Sequence, residues 1–83
     1  MRIAAFESEA DATATATALR ETGYDSRVVT RDDSAYQQSL EDFFRSKPRT
    51  YEPHAFVISE SAQYEPFLRA VIWHYGFVIR GET

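Results

Sequence analysis

Apolar and polar positions along this chain switch between two periods. Arg2–Phe6 (RIAAF) is a short, nearly unbroken apolar run and reads as a buried strand. Ser8-Glu9-Ala10-Asp11 follows as a helix start: Ser8 can cap an orphan N–H, and the two acids suit the positive end of the helix dipole. From Ala12 to Ala18 the chain alternates Ala and Thr, which alone would signal a strand. The cap, the alanines and the stop at Gly23 favour a helix over Glu9–Thr22 instead, with Ala12, Ala16 and Leu19 on one face. Asp25–Arg31, built around Arg27-Val28-Val29-Thr30, is β-branched and predicts the second strand.

Asp32-Asp33-Ser34 breaks that strand, and Ser34 with Gln37 forms a capping-box pattern. Tyr36, Leu40, Phe43 and Phe44 then fall at i, i+4, i+7, i+8, one face of a middle helix. Pro48 and Pro53 bound a loop. Ala55–Ser59 (AFVIS) predicts the third strand. A helix follows from about Ala62 to Tyr75, with Pro66 confined to its first turns and Gly76 ending it. Phe77–Arg80 is the fourth strand and Gly81-Glu82-Thr83 a tail.

The two halves repeat one another. Ala5-Phe6, Leu19-Arg20 and Arg31 recur as Ala55-Phe56, Leu68-Arg69 and Arg80, at an offset of about fifty residues. Two βαβ units in tandem with right-handed crossovers give a ferredoxin-like α+β fold. It has a four-stranded antiparallel sheet, two helices on one face and an extra helix between strands two and three. One domain spans 1–83, with half-repeats 2–31 and 55–80 and the inserted helix and loop at 34–53. Along the strands, Ile3 and Ala5 oppose Ala4 and Phe6, and Phe56 and Ile58 oppose Ala55 and Val57. Both sheet faces are therefore apolar, so the second needs a cover: the middle helix or a second copy of the chain.

Composition narrows the function. A domain of 83 residues has a thin stability margin, although 43 % hydrophobic content with twelve aromatic residues (six Phe, five Tyr, one Trp) supports a compact core. The chain has no cysteine, which removes disulfide, thiolate-zinc and thiol chemistry and fits a reducing cytoplasm. No apolar run approaches a membrane span. A net charge of −4 argues against a general nucleic-acid binder and suits a partner with a basic surface.

The sharpest candidate lies on the last helix. Tyr64, Phe67, Leu68, Val71 and Tyr75 fall within about 100° and form the core stripe, whereas Trp73 projects to the opposite side, flanked by Arg69 and Pro66. A large, rigid, amphipathic side chain off the core is a candidate hot spot for a partner or a second copy. The expected binding residues are Trp73 and Arg69 on the helix back, with Phe56 and Ile58 on the sheet. The acids Glu7, Glu9, Asp11, Glu60 and Glu65 are expected to gather as a patch, on the view that strands one and three end side by side.

Other chemistries find only fragments of their motifs in this chain. Ala55, Phe56 and Val57 match part of the third-strand pattern of RNA-recognition motifs, but Glu52, Pro53 and Ser59 replace its basic, glycine and last aromatic positions. The basic cluster Arg45, Lys47, Arg49 reads as solvated. Acylphosphatases share the expected fold, yet their anion-binding loop is replaced here by Glu7-Ser8-Glu9. His54 and His74 are too few and too far apart in sequence for a metal site, and no cofactor motif is present. A cofactor-free dimeric enzyme remains the catalytic alternative, recognisable by a pocket holding a histidine and a tyrosine. The expectation is a small acidic, non-catalytic protein-binding domain, of the profile shared by phage or mobile-element inhibitors such as anti-CRISPR proteins, and a homodimer.

Overall fold

A computed structural model of the chain describes residues 1–46 and 52–80. Positions 48–51 of the proline-bounded loop, Lys47 and Arg49 of the basic cluster, and the tail 81–83 lie outside the described residues. The elements run β1 (Arg2–Phe6), α1 (Glu9–Glu21), β2 (Arg27–Thr30), α2 (Tyr36–Ser46), β3 (Ala55–Ser59), α3 (Tyr64–Trp73) and β4 (Phe77–Arg80). The strands form one antiparallel α+β sheet in the order β2-β3-β1-β4, so the two central strands are the most apolar ones. Phe6 pairs with Ala55 and Arg2 with Ser59 across the centre.

The alternation along β1 and β3 divides the core in two. Ala4, Phe6, Ala55 and Val57 meet Ala12, Ala16 and Leu19 of α1 and Phe67 and Val71 of α3. The alanines leave no bulk between helix and sheet, so α1 settles close. Its Ala-Thr alternation does not make a strand: Ser8 caps Asp11 N–H, and buried Thr15 returns its hydroxyl to Asp11 O at 2.9 Å. On the other face Ile3, Ala5, Val29 and Phe56 meet Tyr36, Leu40 and Phe43 of α2. Of the two candidate covers for that face, α2 is the one observed. Tyr36 packs on Phe56 with ring centroids 5.5 Å apart and donates its hydroxyl to Pro53 O at 2.7 Å, while Phe43 meets Phe77 edge-on at 6.2 Å.

Helix boundaries shift from those read in the sequence. Asp33 rather than Ser34 organises the start of α2, its carboxylate accepting Ala35 N–H at 2.8 Å. The last helix is shorter than Ala62–Tyr75 at both ends, and Tyr75 does not join the core stripe. The chain leaves the helix after Trp73, and Tyr75 adopts a left-handed φ of 63° that turns its ring outward.

Antiparallel pairing also corrects the expected acidic patch. Because Phe6 faces Ala55 and Arg2 faces Ser59, β1 and β3 finish at opposite ends of the sheet. Glu7, Glu9 and Asp11 follow Phe6 at one end, and Glu60 and Glu65 follow Ser59 at the other. A five-residue strand separates them by roughly 13 Å or more.

Candidate functional site

The C-terminal end of α3 concentrates exposed apolar surface. Val71, Ile72 and Trp73 are consecutive, and three successive residues on a helix cannot share one face. Val71 takes the core and is fully buried, which leaves Ile72 61 % and Trp73 80 % exposed. Tyr75 adds a third large side chain at 86 %. Each aromatic carries about 150–250 Å² of surface, so the trio approaches the size at which a monomer's exposed apolar patch is usually functional.

The backbone that presents these residues is a two-bond helix stop. Gly76 N–H donates to Val71 O at 2.8 Å and Tyr75 N–H to Ile72 O at 3.0 Å. The first half ends α1 the same way, with Tyr24 N–H on Leu19 O and Gly23 N–H on Arg20 O, both at 3.0 Å. There the left-handed position is Gly23, φ 96°, and Tyr24 packs inward on the core. In the second half the order is Tyr75-Gly76, so the left-handed residue is an exposed tyrosine. An aromatic side chain in that conformation costs free energy relative to glycine and is sustained by the surrounding structure.

The other expected site residues distribute as follows. Arg69 lies one turn before Trp73 and is held by Glu65 in an exposed i,i+4 ion pair at 2.6 Å. Such a pair contributes little to stability. Phe56, expected to present a binding surface, is fully buried beneath Tyr36, so in this arrangement it reaches neither a partner nor a stacked base. Ile58 is half-buried, packed at the margin of the α2 core and open to a cleft beside that helix. Glu60 joins Asp25 rather than the acids of α1: its N–H donates to Asp25 Oδ1 at 2.8 Å. His54 is exposed and its N–H continues the sheet onto Phe6 O, and His74 places Nδ1 2.9 Å from Ala70 O. Neither histidine lines the cleft.

The helical phase read from the sequence sets Trp73 off the core, where it is exposed, but does not single out Ile72 or Tyr75. The run Val71-Ile72-Trp73 held the signal for the first. The second was masked because Tyr75 continues the core spacing of a helix that has already ended. Among the described residues no group of three or more His, Asp or Glu side chains is placed to hold a metal, and no helix is long and apolar enough to cross a membrane. Comparison with protein-family profiles, curated proteins and solved structures returns no match.

Proposed function

We propose that this protein is a non-catalytic, protein-binding domain that docks through the end of α3, with Trp73 as its anchor and Ile72 and Tyr75 beside it. The observation that carries this reading is the 80 % exposure of the chain's single tryptophan, next to a tyrosine kept in a left-handed turn. Hot spots favour rigid aromatic side chains of this kind. A strained, exposed residue that glycine would replace at lower cost supports a role outside folding. The net charge of −4 favours a basic partner surface, and Glu65 with Arg69 would form the polar rim. We place the chain in the ferredoxin-like class, a reading supported by the strand order and by helices after β1 and β3, with α2 as an addition. Its cysteine-free composition fits work in the cytoplasm, as a regulator or inhibitor of its partner.

The cofactor-free enzyme is less favoured, because the cleft that would serve it contains neither histidine nor tyrosine. The test is light scattering over a concentration series for wild type and Trp73→Ala, with pull-down of basic proteins by both. A wild-type dimer that Trp73→Ala dissociates identifies a second copy as the partner. A monomer that captures a basic protein only with Trp73 intact identifies a foreign one. Association that ignores both Trp73→Ala and Tyr75→Ser overturns the proposal.

A further inference from the structure

The inner face of α2 carries two different stripes. Tyr36, Leu40 and Phe43 close over the sheet row Val29, Phe56, Ala5 and Phe77, whose members are successive pairing partners. The neighbouring row runs Arg27, Ile58, Ile3 across β2, β3 and β1. Over it lie Ala35, just before α2, and Gln38, Ser39 and Asp42 of α2, spaced i, i+3, i+4, i+7. These side chains are small or polar, so helix and sheet do not close, and a cleft of about 440 Å³ remains. Its floor is Ile3 and Ile58, and its far end is formed where β2 begins and β3 ends, by Asp25 and Glu60.

The charges at this cleft are unequal. Arg27 is drawn to Asp33 at 3.7 Å, and Asp42 to Arg45 at 3.3 Å. Asp25 and Glu60 have no basic side chain in an ion pair with them among the described residues. Asp25 is held by neutral donors, the Ser61 N–H, the Ser59 hydroxyl and the Glu60 N–H, which lower its carboxyl from the ordinary value. An apolar floor ending in two unneutralised carboxylates is complementary to a molecule with an apolar body and a cationic head. The volume lies within the usual range for small-molecule sites, about 300–1,000 Å³, and a single lysine or arginine side chain from a partner would fill only a fraction of it.

We infer that the cleft between α2 and the sheet is a binding site for a small hydrophobic amine, its apolar body on Ile3 and Ile58 and its ammonium between Asp25 and Glu60. This site is separate from the Trp73 patch, so either can fail without the other. The experiment is an NMR titration of the ¹⁵N-labelled chain with 2-phenylethylamine, and in parallel with 2-phenylethanol as the neutral isostere. Saturable shifts are expected at Ile3, Ile58 and Ser39, with the alcohol at least about tenfold weaker, the scale of one charge-assisted contact. Glu60→Gln, an exposed change, should weaken the amine about threefold or more without moving the alcohol. Gln38→Phe, which fills the cleft from its exposed edge, should abolish both. Equal affinity for amine and alcohol overturns the inference. So does the absence of saturable shifts at millimolar probe, or their appearance only at Ile72–Tyr75.

Discussion

Gly76 rests directly on the ring of Phe6. A Cβ at position 76 would fall 2.5 Å from Phe6 Cζ and 2.8 Å from Val71 Cγ1. Phe6 is itself fully buried between the sheet and the two helices, so its ring has no free space to yield. Glycine is needed here for close approach, whereas at Gly23 in the first half it serves the left-handed φ of 96° and a Cβ would meet nothing. Gly76→Ala should therefore destabilise the protein by about 1–3 kcal/mol through overpacking. A urea melt checks this, and a neutral result would mean that Phe6 can move.

Tyr75 presents the opposite case. Its side chain makes no core contact, and its left-handed backbone disfavours a Cβ by roughly 1–2 kcal/mol, partly offset by the greater unfolded-state freedom of glycine. Tyr75→Gly should raise stability by several tenths of a kcal/mol up to about 1 kcal/mol, an uncommon sign for a large-to-small change. The same variant should weaken association through the α3 end. A variant that gains stability and loses binding would locate the purpose of the strain. A loss of stability would show that Tyr75 packs.

These two positions also show how far the sequence could be read. The strands, the three helices and the opposed faces of β1 and β3 follow from period and punctuation, because each residue's local environment repeats every two or every three to four positions. Tyr75 escapes a linear reading because helical spacing continues past the end of a helix, and the glycine after it extends the expected helix two residues beyond Trp73. The acidic patch conflicts with the expected antiparallel sheet itself, because neighbouring antiparallel strands end at opposite ends of the sheet. The Phe6–Ala55 and Arg2–Ser59 pairing shows Glu9 and Glu60 starting from opposite ends of the sheet. The stripe Tyr36, Leu40, Phe43 was legible as a face, but its target was not, since an apolar face does not name its cover. The cleft needed both the polar stripe from Ala35 to Asp42 and the cross-strand row Ile3–Ile58, which no linear pattern joins.

Placement of α2 over the second sheet face predicts a contrast between two aromatic truncations. Phe43 is fully buried and meets Phe77 edge-on, so Phe43→Ala should cost about 3–5 kcal/mol, as should Phe67→Ala on the other face. Trp73→Ala removes a side chain that is 80 % exposed and should stay within about 0.5 kcal/mol. Denaturant melts of the three variants decide it. A near-neutral Phe43→Ala would mean that α2 does not cover the sheet, and a costly Trp73→Ala would place the tryptophan in the core.

Asp25 ties the start of β2 to the turn after β3, and that tie should respond to pH. Its Oδ1 accepts Ser61 N–H at 3.1 Å, Ser59 Oγ–H at 2.9 Å and Glu60 N–H at 2.8 Å, while its own N–H donates to Ser61 Oγ at 2.9 Å. The Ser61 amide and then the Ser59 hydroxyl hold the carboxyl below its ordinary value of 3.8. Near and below that value the unfolded chain takes up the proton more readily than the folded one. The stabilisation is therefore fully present above 3.8 and disappears as pH falls through the lower folded value. Asp25→Asn removes the charge and leaves a similar shape. It should be less stable than wild type at about pH 7, and the difference should shrink as melts are repeated down to about pH 3. Taking the difference between the two proteins cancels the titration of the other carboxylates. A gap that stays constant across the series would mean that the three donors recognise the shape of Asp25 and not its charge.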